Sequence, residues 1–534
     1  MDTANMANGF EFHVPSLVQT AQGEQTVSAE VGREFVLPDY QPEIRKLLRV
    51  TATVQPPSRF LGADEAEFAG NVSFDVLYTG GDGGLYSANL SAPYSFRTVL
   101  TGDDRTVGDR PICLNAALTA EGVNARPIAP RKLKISCRLS AHIAGFADRE
   151  VDMRIDDPAL NCQRLEQTRL CARTFSAIGE AMELTDEIPV PAGEGELRLI
   201  GTEGAVQITE AIPGETGVNC RGELYVKLHL TRDAAVEGEA GAESSKASFE
   251  TITRRIPFSQ TVEMPPLWGG QEQTATAFGC CSEITARVEE DRLLCAATVV
   301  LEASVQGNER VSFVRDCYAT DRATECEMIT YPYCRAVCCV NGNVTSGGAV
   351  NRAQAGIPSG IVPLDLCGTA VVTDLTIERG HPVLTGDCTY RLLYRSAEGE
   401  LGHAEFHLPL RYEMPDGGLS EDHQPVADAR LTMLSGRIRP EGEEYTVDAE
   451  WAIAARVYTH EQIKAVDEVR VTGEAAPMDG TYILCYPSEG DTLWSVAKRY
   501  RTSLRGLAAS NDLSGAADPS DVKSLEGVRF LMIS

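Results

Sequence analysis

Hydrophobic and polar residues alternate along most of this chain with a period of two. The stretch Gly70–Tyr78, GNVSFDVLY, sets Val72, Phe74, Val76 and Tyr78 apart from Asn71, Ser73 and Asp75. Successive side chains of a strand point to opposite faces, so the pattern predicts one dry face and one wet face. It returns at Gly222–Leu230, with Leu224, Val226, Leu228 and Leu230, and at Gly386–Tyr394, with Cys388, Tyr390, Leu392 and Tyr394. In each copy a glycine stands eight residues before the last apolar residue. A second alternating run follows, Tyr86 to Phe96 in the first copy and Ala404 to Leu410 in the third. Two such runs joined by a Gly-rich or charged turn predict a β-hairpin.

Spacing extends the repeat. Pro93 lies 23 residues after Gly70, and Pro409 lies 23 after Gly386; the interval from Gly222 to Pro257 is 35. The surplus falls in Ala234–Ser245, small and acidic, which reads as a solvated loop insertion. Upstream, 16 residues separate Val54 from Gly70 and Val206 from Gly222, while the third copy enters through a shorter turn at Glu378–Leu384. The first copy is led in by Phe35–Val54, with turn residues Pro38, Asp39 and Pro42 and a strand at Leu48–Val54. Each copy closes on a longer alternating strand, near Leu133–Ile143, Cys295–Val305 and Tyr445–Val457. Asn161-Cys162 precedes Cys171 by nine residues, as Asp316-Cys317 precedes Cys326, and these mark entry to the next copy. A period of roughly 150 residues makes these domain repeats, not a solenoid. The expected fold is mainly β: sandwich-like domains over 1–158, 159–318 and 319–474, then a small module over 480–534.

That module breaks the period. Leu493, Val496, Ala497 and Tyr500 fall at helical spacing, with Asp491 or Thr492 available as N-cap. A second helix is expected from about Ser503, capped by Thr502 and ending near Asn511, with a closing strand at Val528–Ile533. Strand, helix, helix, strand is a compact α+β unit.

Charge separates the two parts. The chain of 534 residues carries a formal charge of −29, which argues against binding a nucleic-acid backbone. Thr481–Ser534 holds six acids and six bases, so the excess belongs to the repeats. No run approaches the roughly 18 apolar residues of a membrane-spanning helix. The start, MDTANMANGFEF, has neither a basic nor an apolar segment, so no export signal is expected and the 16 cysteines are expected as reduced thiols in a cytoplasm.

Candidate chemistry is sparse. His403, Glu405 and His407 share one face of a strand and have the residue types of a metal site, but the plainer reading is a wet strand face. Cys326, Cys334, Cys338 and Cys339 form the densest thiol cluster, yet Cys334 and Cys338 find no second ligand pair, and buried free thiols are expected. Trp494 is expected in the module's core. There is no Gly-rich phosphate loop and no nucleophile elbow, so neither an enzyme nor a cofactor is expected, and a cell-wall hydrolase is the least favoured reading.

GDTLWSVAKRY followed by Asn511-Asp512-Leu513 and a closing strand resembles a LysM module. The repeats, with their LPDYQPEIRKLLRV entry and Gly-led strand, resemble SPOCS domains. Three of these before one LysM resembles the layout of SipL-type spore coat morphogenetic proteins of clostridia. The resemblance implies a groove between Ser488, Gly490, Asp491 and Thr492 on one side and Leu525, Glu526 and Gly527 on the other, with Asn511 beside it. LysM grooves commonly hold N-acetylglucosamine polymers such as peptidoglycan. Glu526-Gly527 stands where Pro-Gly is usual, and Cys485 and Pro487 replace a Tyr and a β-branched residue; both departures weigh against sugar binding. The resemblance implies a non-enzymatic scaffold in the mother-cell cytoplasm at the forespore surface. Its LysM module would dock to a coat morphogenetic ATPase, and its repeats to other coat proteins.

Overall fold

The computed structural model describes residues 16–62, 65–99, 113–155, 159–190, 196–233, 248–265, 273–289, 292–415, 418–420, 422–474, 482–513 and 518–533. The expected loop insertion at Ala234–Ser245 and the N-terminal MDTANMANGFEF lie outside them.

The alternating runs form long antiparallel strands that pair off into two-sheet sandwiches with one topology. In the first sandwich the strands are Ser16–Val36, Ile44–Val54 continued by Ser58–Leu61, Glu65–Gly80, Leu85–Val99, Cys113–Ala129 and Lys132–Val151. In the second they are Cys162–Ile178 continued by Met182–Pro189, Glu196–Pro213, Gly217–Asp233, Ser248–Glu263, Gln273–Glu289 and Arg292–Ala319. In the third they are Arg322–Asn351, Val362–Glu378, His381–Arg395, Leu401–Glu413, Pro425–Glu441 and Glu444–Glu474. Each time the sixth strand lies between the first and the fifth, and the third lies between the second and the fourth. The dry faces meet: Val72, Phe74, Val76 and Tyr78 pack against Leu133, Ile135, Leu139 and Ile143 in the first sandwich.

Register explains the spacings. Val54 pairs with Val72, Val206 with Leu224 and Ala370 with Cys388. The third copy therefore carries the same interval, hidden in the sequence because a small alanine stands where valines stand elsewhere. The strand at Leu48–Val54 starts earlier than expected, at Ile44. The leading glycines also gain a reason. Gly222 and Gly386 sit beside irregularities in the neighbouring strand, and a Cβ there would clash with the carbonyls of Gln207 and Val371. At Gly70 the obstacle is the Tyr94 ring, whose hydroxyl donates to Gln55 O at 2.6 Å.

The three sandwiches share apolar surface. Val18 and Val151 from the first, Cys171, Val311 and Phe313 from the second, and Tyr331, Tyr333, Ile463 and Ala465 from the third make one cluster, built from the first and sixth strand of each. Polar groups line the same junction. Arg49, Glu203 and Asp365 come from the second strand of each sandwich; Arg49 pairs with both carboxylates, and Lys227 pairs with Asp365. His229 Nε2 lies 3.2 Å from Glu203. Burial alone would raise the two carboxyls, but Arg49, Lys227 and His229 hold Glu203 well below, and Asp365 below, the ordinary range. Farther along, Glu302 is held between Arg59 and Arg430. Between these layers lies a cavity of about 240 Å³ lined by Thr51, Ser73, Asp75, Tyr225, Lys227 and Thr432, among others. Burial, with Glu203 adding to it, pushes Asp75 up to about 7.

A further polar joint links the first and third sandwiches. His142 Nδ1 meets Asp428 at 2.7 Å and its Nε2 meets Glu24 at 3.2 Å, while His460 Nε2 lies 3.0 Å from Glu24. Burial opposes both charges, but the hydrogen bonds to Asp428 and Glu24 raise His142 from 6.5 to about 9. Contact with Cys334, then Glu24, raises His460 to about 10. The two imidazoliums overcome burial at Glu24 and lower it from 4.5 to about 2. A raised histidine stabilises fully below its unfolded value and loses that contribution as pH rises through the folded one; a lowered carboxyl does the reverse. Stability from this joint should therefore be complete between about pH 4.5 and 6.5 and fall as pH rises toward 9–10. Urea midpoints measured across that range should decline in the native chain and decline less steeply in Glu24→Gln. Equal slopes would count against the joint.

Candidate functional site

The C-terminal module is framed by two short antiparallel strands, Ile483–Cys485 and Leu531–Ile533. Between them lie α1 (Leu493–Tyr500), α2 (Leu504–Ser510) and a 3₁₀ turn at Val522–Leu525. The helical spacing seen in the sequence turns Leu493, Val496 and Ala497 inward onto Cys485, Leu507, Leu531 and Ile533. Thr492 caps α1: its side chain accepts from the Ser495 amide, and Ser495 Oγ accepts from the Thr492 amide. Arg501 closes the helix in the left-handed region at φ 49. Two expectations need correction. Ser503, not Thr502, caps α2, because it is the Ser503 hydroxyl that accepts from the Gly506 amide. The closing strand is shorter than Val528–Ile533, since Val528 N donates back to Leu525 O in a turn.

The two lips of the expected groove differ in what they expose. On the first, Ser488 and Gly490 are open, and Gly490 adopts φ +88, which a glycine tolerates. Asp491 is only 8% exposed. Its carboxylate accepts from the Ser488 amide at 2.9 Å and pairs with Arg499, and those contacts, Arg499 first, hold it below the usual range. Asp491 thus shapes the loop. Thr492 is half-buried under its capping role. On the second lip Glu526 and Gly527 are exposed, with Gly527 at φ +79, but Leu525 faces the core at 7% exposure. The first amides of α1 are engaged: Leu493 N donates to Ser524 Oγ at 3.0 Å and Trp494 N to Pro519 O at 2.9 Å. The carboxamide of Asn511 is engaged as well. It donates to Leu507 O and Met532 O and accepts from the Met532 amide, which fastens α2 to the closing strand. What remains open is a shallow surface of backbone, Ser488, Gly490, Glu526 and Gly527.

A second open surface lies on the outer face of the two strands. Tyr482, Leu484, Tyr486, Phe530 and Met532 all point outward and are exposed. Leu484 pairs with Met532, and the Tyr486 and Phe530 rings lie 6.5 Å apart. Five apolar side chains in one patch are unusual on a protein surface unless something docks there.

The module is fixed to the second sandwich. Trp494 Nε1 donates to Asp316 Oδ2 at 2.7 Å, and Lys498 Nζ donates to Asp316 Oδ1 at 2.5 Å. Tyr318 OH donates to Thr502 O at 2.8 Å and its ring meets Trp494 edge-on at 5.0 Å. Leu165 and Tyr318 join the module's apolar core. Trp494 is buried, as expected, but half of its role is to seat the module. In the sequence Asp316 is only a spacing landmark. Beside this seat an open cleft is lined by Arg169, Arg315, Lys464, Thr492 and Ser520.

Elsewhere, His403, Glu405 and His407 are exposed on the wet face, and Arg391 pairs with Glu405. Cys326, Cys334, Cys338 and Cys339 are all free. Sequence reasoning missed that Cys334 Sγ lies 3.7 Å from His460 Nδ1, with Glu24 behind the histidine. A thiol, an imidazole and a carboxylate in line resemble an activated nucleophile, but Cys334 is only 4% exposed. One further group of donors, Glu203, His229 and Asp365, has metal-ligand spacing, but Arg49 and Lys227 already neutralise its carboxylates.

Residues 488–519 match the family model of the LysM domain. No curated protein was found to match the chain. No helix among the described residues is long and apolar enough to cross a membrane. The chain thus carries a LysM domain near its C-terminus, behind a mainly β body. Removing the Asp316 carboxylate leaves the Trp494 indole N–H and the Lys498 ammonium without their partner. Asp316→Ala should weaken the seat by about 2 kcal/mol. The check is fluorescence: the variant should show red-shifted tryptophan emission and an early melting step that the native chain lacks.

Proposed function

We propose that this chain is a non-enzymatic tether, a three-sandwich body that presents its LysM domain to a protein partner. The observation that carries this reading is the uncovered apolar face of Tyr482, Leu484, Tyr486, Phe530 and Met532. Leu484 and Met532 are aliphatic, and a patch of this kind suits burial against another protein. The engaged amides of α1 and the inward Leu525 point the same way, because they leave the groove few groups with which to hold sugar hydroxyls.

In the finer form of this proposal the chain acts in spore coat assembly, in the mother-cell cytoplasm at the forespore surface. Its LysM domain docks to a coat morphogenetic ATPase, and the acidic sandwiches bind other coat proteins through strand edges. The resemblance of the repeats to SPOCS domains supports this form.

A second reading is favoured by the LysM match itself, which suggests a peptidoglycan or related N-acetylglucosamine glycan as the ligand. The open groove residues Ser488, Gly490, Glu526 and Gly527 would then make the contacts. Retention on purified peptidoglycan, compared with retention on the purified ATPase, separates the two. The tether reading expects ATPase retention that falls at least about tenfold in Leu484→Asp, a loss of about 1.4 kcal/mol or more, and is indifferent to Gly527→Trp. Strong glycan retention lost in Gly527→Trp, with no ATPase retention, would establish the glycan reading instead.

A further inference from the structure

The sixth strand of the second sandwich and the first strand of the third are joined by only Thr320 and Asp321, yet they diverge into different sheets. Cys317 and Cys326 face each other across that divergence. Cys326 Sγ donates to Cys317 O at 3.1 Å. Cys162 lies on the adjacent strand, two positions from the partner of Cys317. All three border an apolar cluster with Leu160, Val314, Val466 and Val469. Their access differs: Cys317 is 1% exposed, whereas Cys162 and Cys326 are half-buried.

The charges around the pair are uneven. Lys498 of the LysM domain bears on Cys326 and favours its thiolate, while Asp316 opposes it. Arg164 and Asp321 bear on Cys162 with opposite signs. The contact with Cys317, ahead of Lys498, draws Cys326 below the usual thiol range, and the same contact pushes Cys317 up. Burial pushes most other thiols up, Cys137, Cys171, Cys220 and Cys280 among them. The thiol drawn toward its thiolate form is thus on the more exposed of the two residues, with the buried Cys317 behind it.

We infer that Cys326 is an oxidant-reactive thiol and that Cys317 resolves it, forming a cross-link between the second and third sandwiches beneath the LysM seat. With a peroxide as oxidant, the Cys326 thiolate attacks one oxygen and the O–O bond breaks. Cys326 becomes a sulfenic acid, and the departing hydroxide takes a proton to become water. The Cys317 thiol then gives up its proton and attacks the Cys326 sulfur, expelling a second hydroxide that leaves as water. Two thiols lose two electrons to one peroxide, and one disulfide and two waters result. The cross-linked Cys317 lies between Asp316 and Tyr318, the two residues that seat Trp494, so the bond braces the tether at its joint.

The test uses the full chain with one equivalent of hydrogen peroxide at pH 7, followed by alkylation and non-reducing peptide mapping. The first cross-link formed should be Cys317–Cys326. In the reduced chain, iodoacetamide should label Cys326 about fivefold faster than Cys162, which is also half-buried, the lower thiol pKa offset in part by lower intrinsic nucleophilicity. Cys326→Ser should abolish that cross-link with an unchanged melting profile. A first cross-link at another pair, or labelling of Cys326 no faster than Cys162, overturns the inference on the native sequence alone, whatever the variant does.

Discussion

Arg49 cannot be buried alone, and neither can Glu203 or Asp365. Each sits on the second strand of a different sandwich; Arg49 and Asp365 find their counter-charges only when the three sandwiches are packed together, while Glu203 has Lys227 and His229 on its own sandwich and gains Arg49 from the first. Charges removed from water are tolerated only when paired with good geometry, and removal of one partner strands the others. The network thus fixes which faces meet and in what register. The apolar cluster of Val18, Phe313, Tyr331 and Ile463 supplies attraction without direction, while the charges select one arrangement from the many that would bury similar area.

That arrangement positions the C-terminal domain. The seat for Trp494 and Lys498 is Asp316, near the end of the second sandwich's last strand, where all three units converge. A neutral module on an acidic body is held by the Asp316 carboxylate, the Tyr318 hydroxyl, the Gln163 carboxamide and a shared patch of apolar surface. Its outward apolar face is left uncovered while its inward face is committed. In the proposed tether, the uncovered face serves recognition and the Asp316 seat serves anchorage.

Much of the fold was legible because alternation reports burial directly. Val72, Phe74, Val76 and Tyr78 are buried as their period demanded. The module's helices were legible for the same reason at a different period. What stayed hidden was polar. Arg49, Glu203 and Asp365 occupy polar positions that look like any solvated strand face, since period two cannot distinguish water from a neighbouring sandwich. Ala370 concealed the third copy's spacing because a small side chain carries little signal. At the candidate site, capping chemistry at Thr492 was visible, but Thr502 and Ser503 are both good caps and only the Ser503 bond to the Gly506 amide decides between them. Leu525 and Asn511 fell within the expected groove by position, yet their side chains serve the module's interior. Asp316 is 178 residues from Trp494, and no local pattern joins them.

Buried charge, more than apolar contact, selects the one arrangement in which the three sandwiches meet. Arg49→Met keeps the volume and the apolar stem but removes the cation, which leaves Lys227 and His229 as the basic groups beside Glu203 and Asp365 among the described residues. Equilibrium urea unfolding of the full chain, followed together with small-angle scattering, measures the consequence most directly. The account predicts a loss of about 3–5 kcal/mol and a partly unfolded, expanded species before the main transition. A variant as stable as the native chain, unfolding in one step from the same compact dimensions, would contradict it.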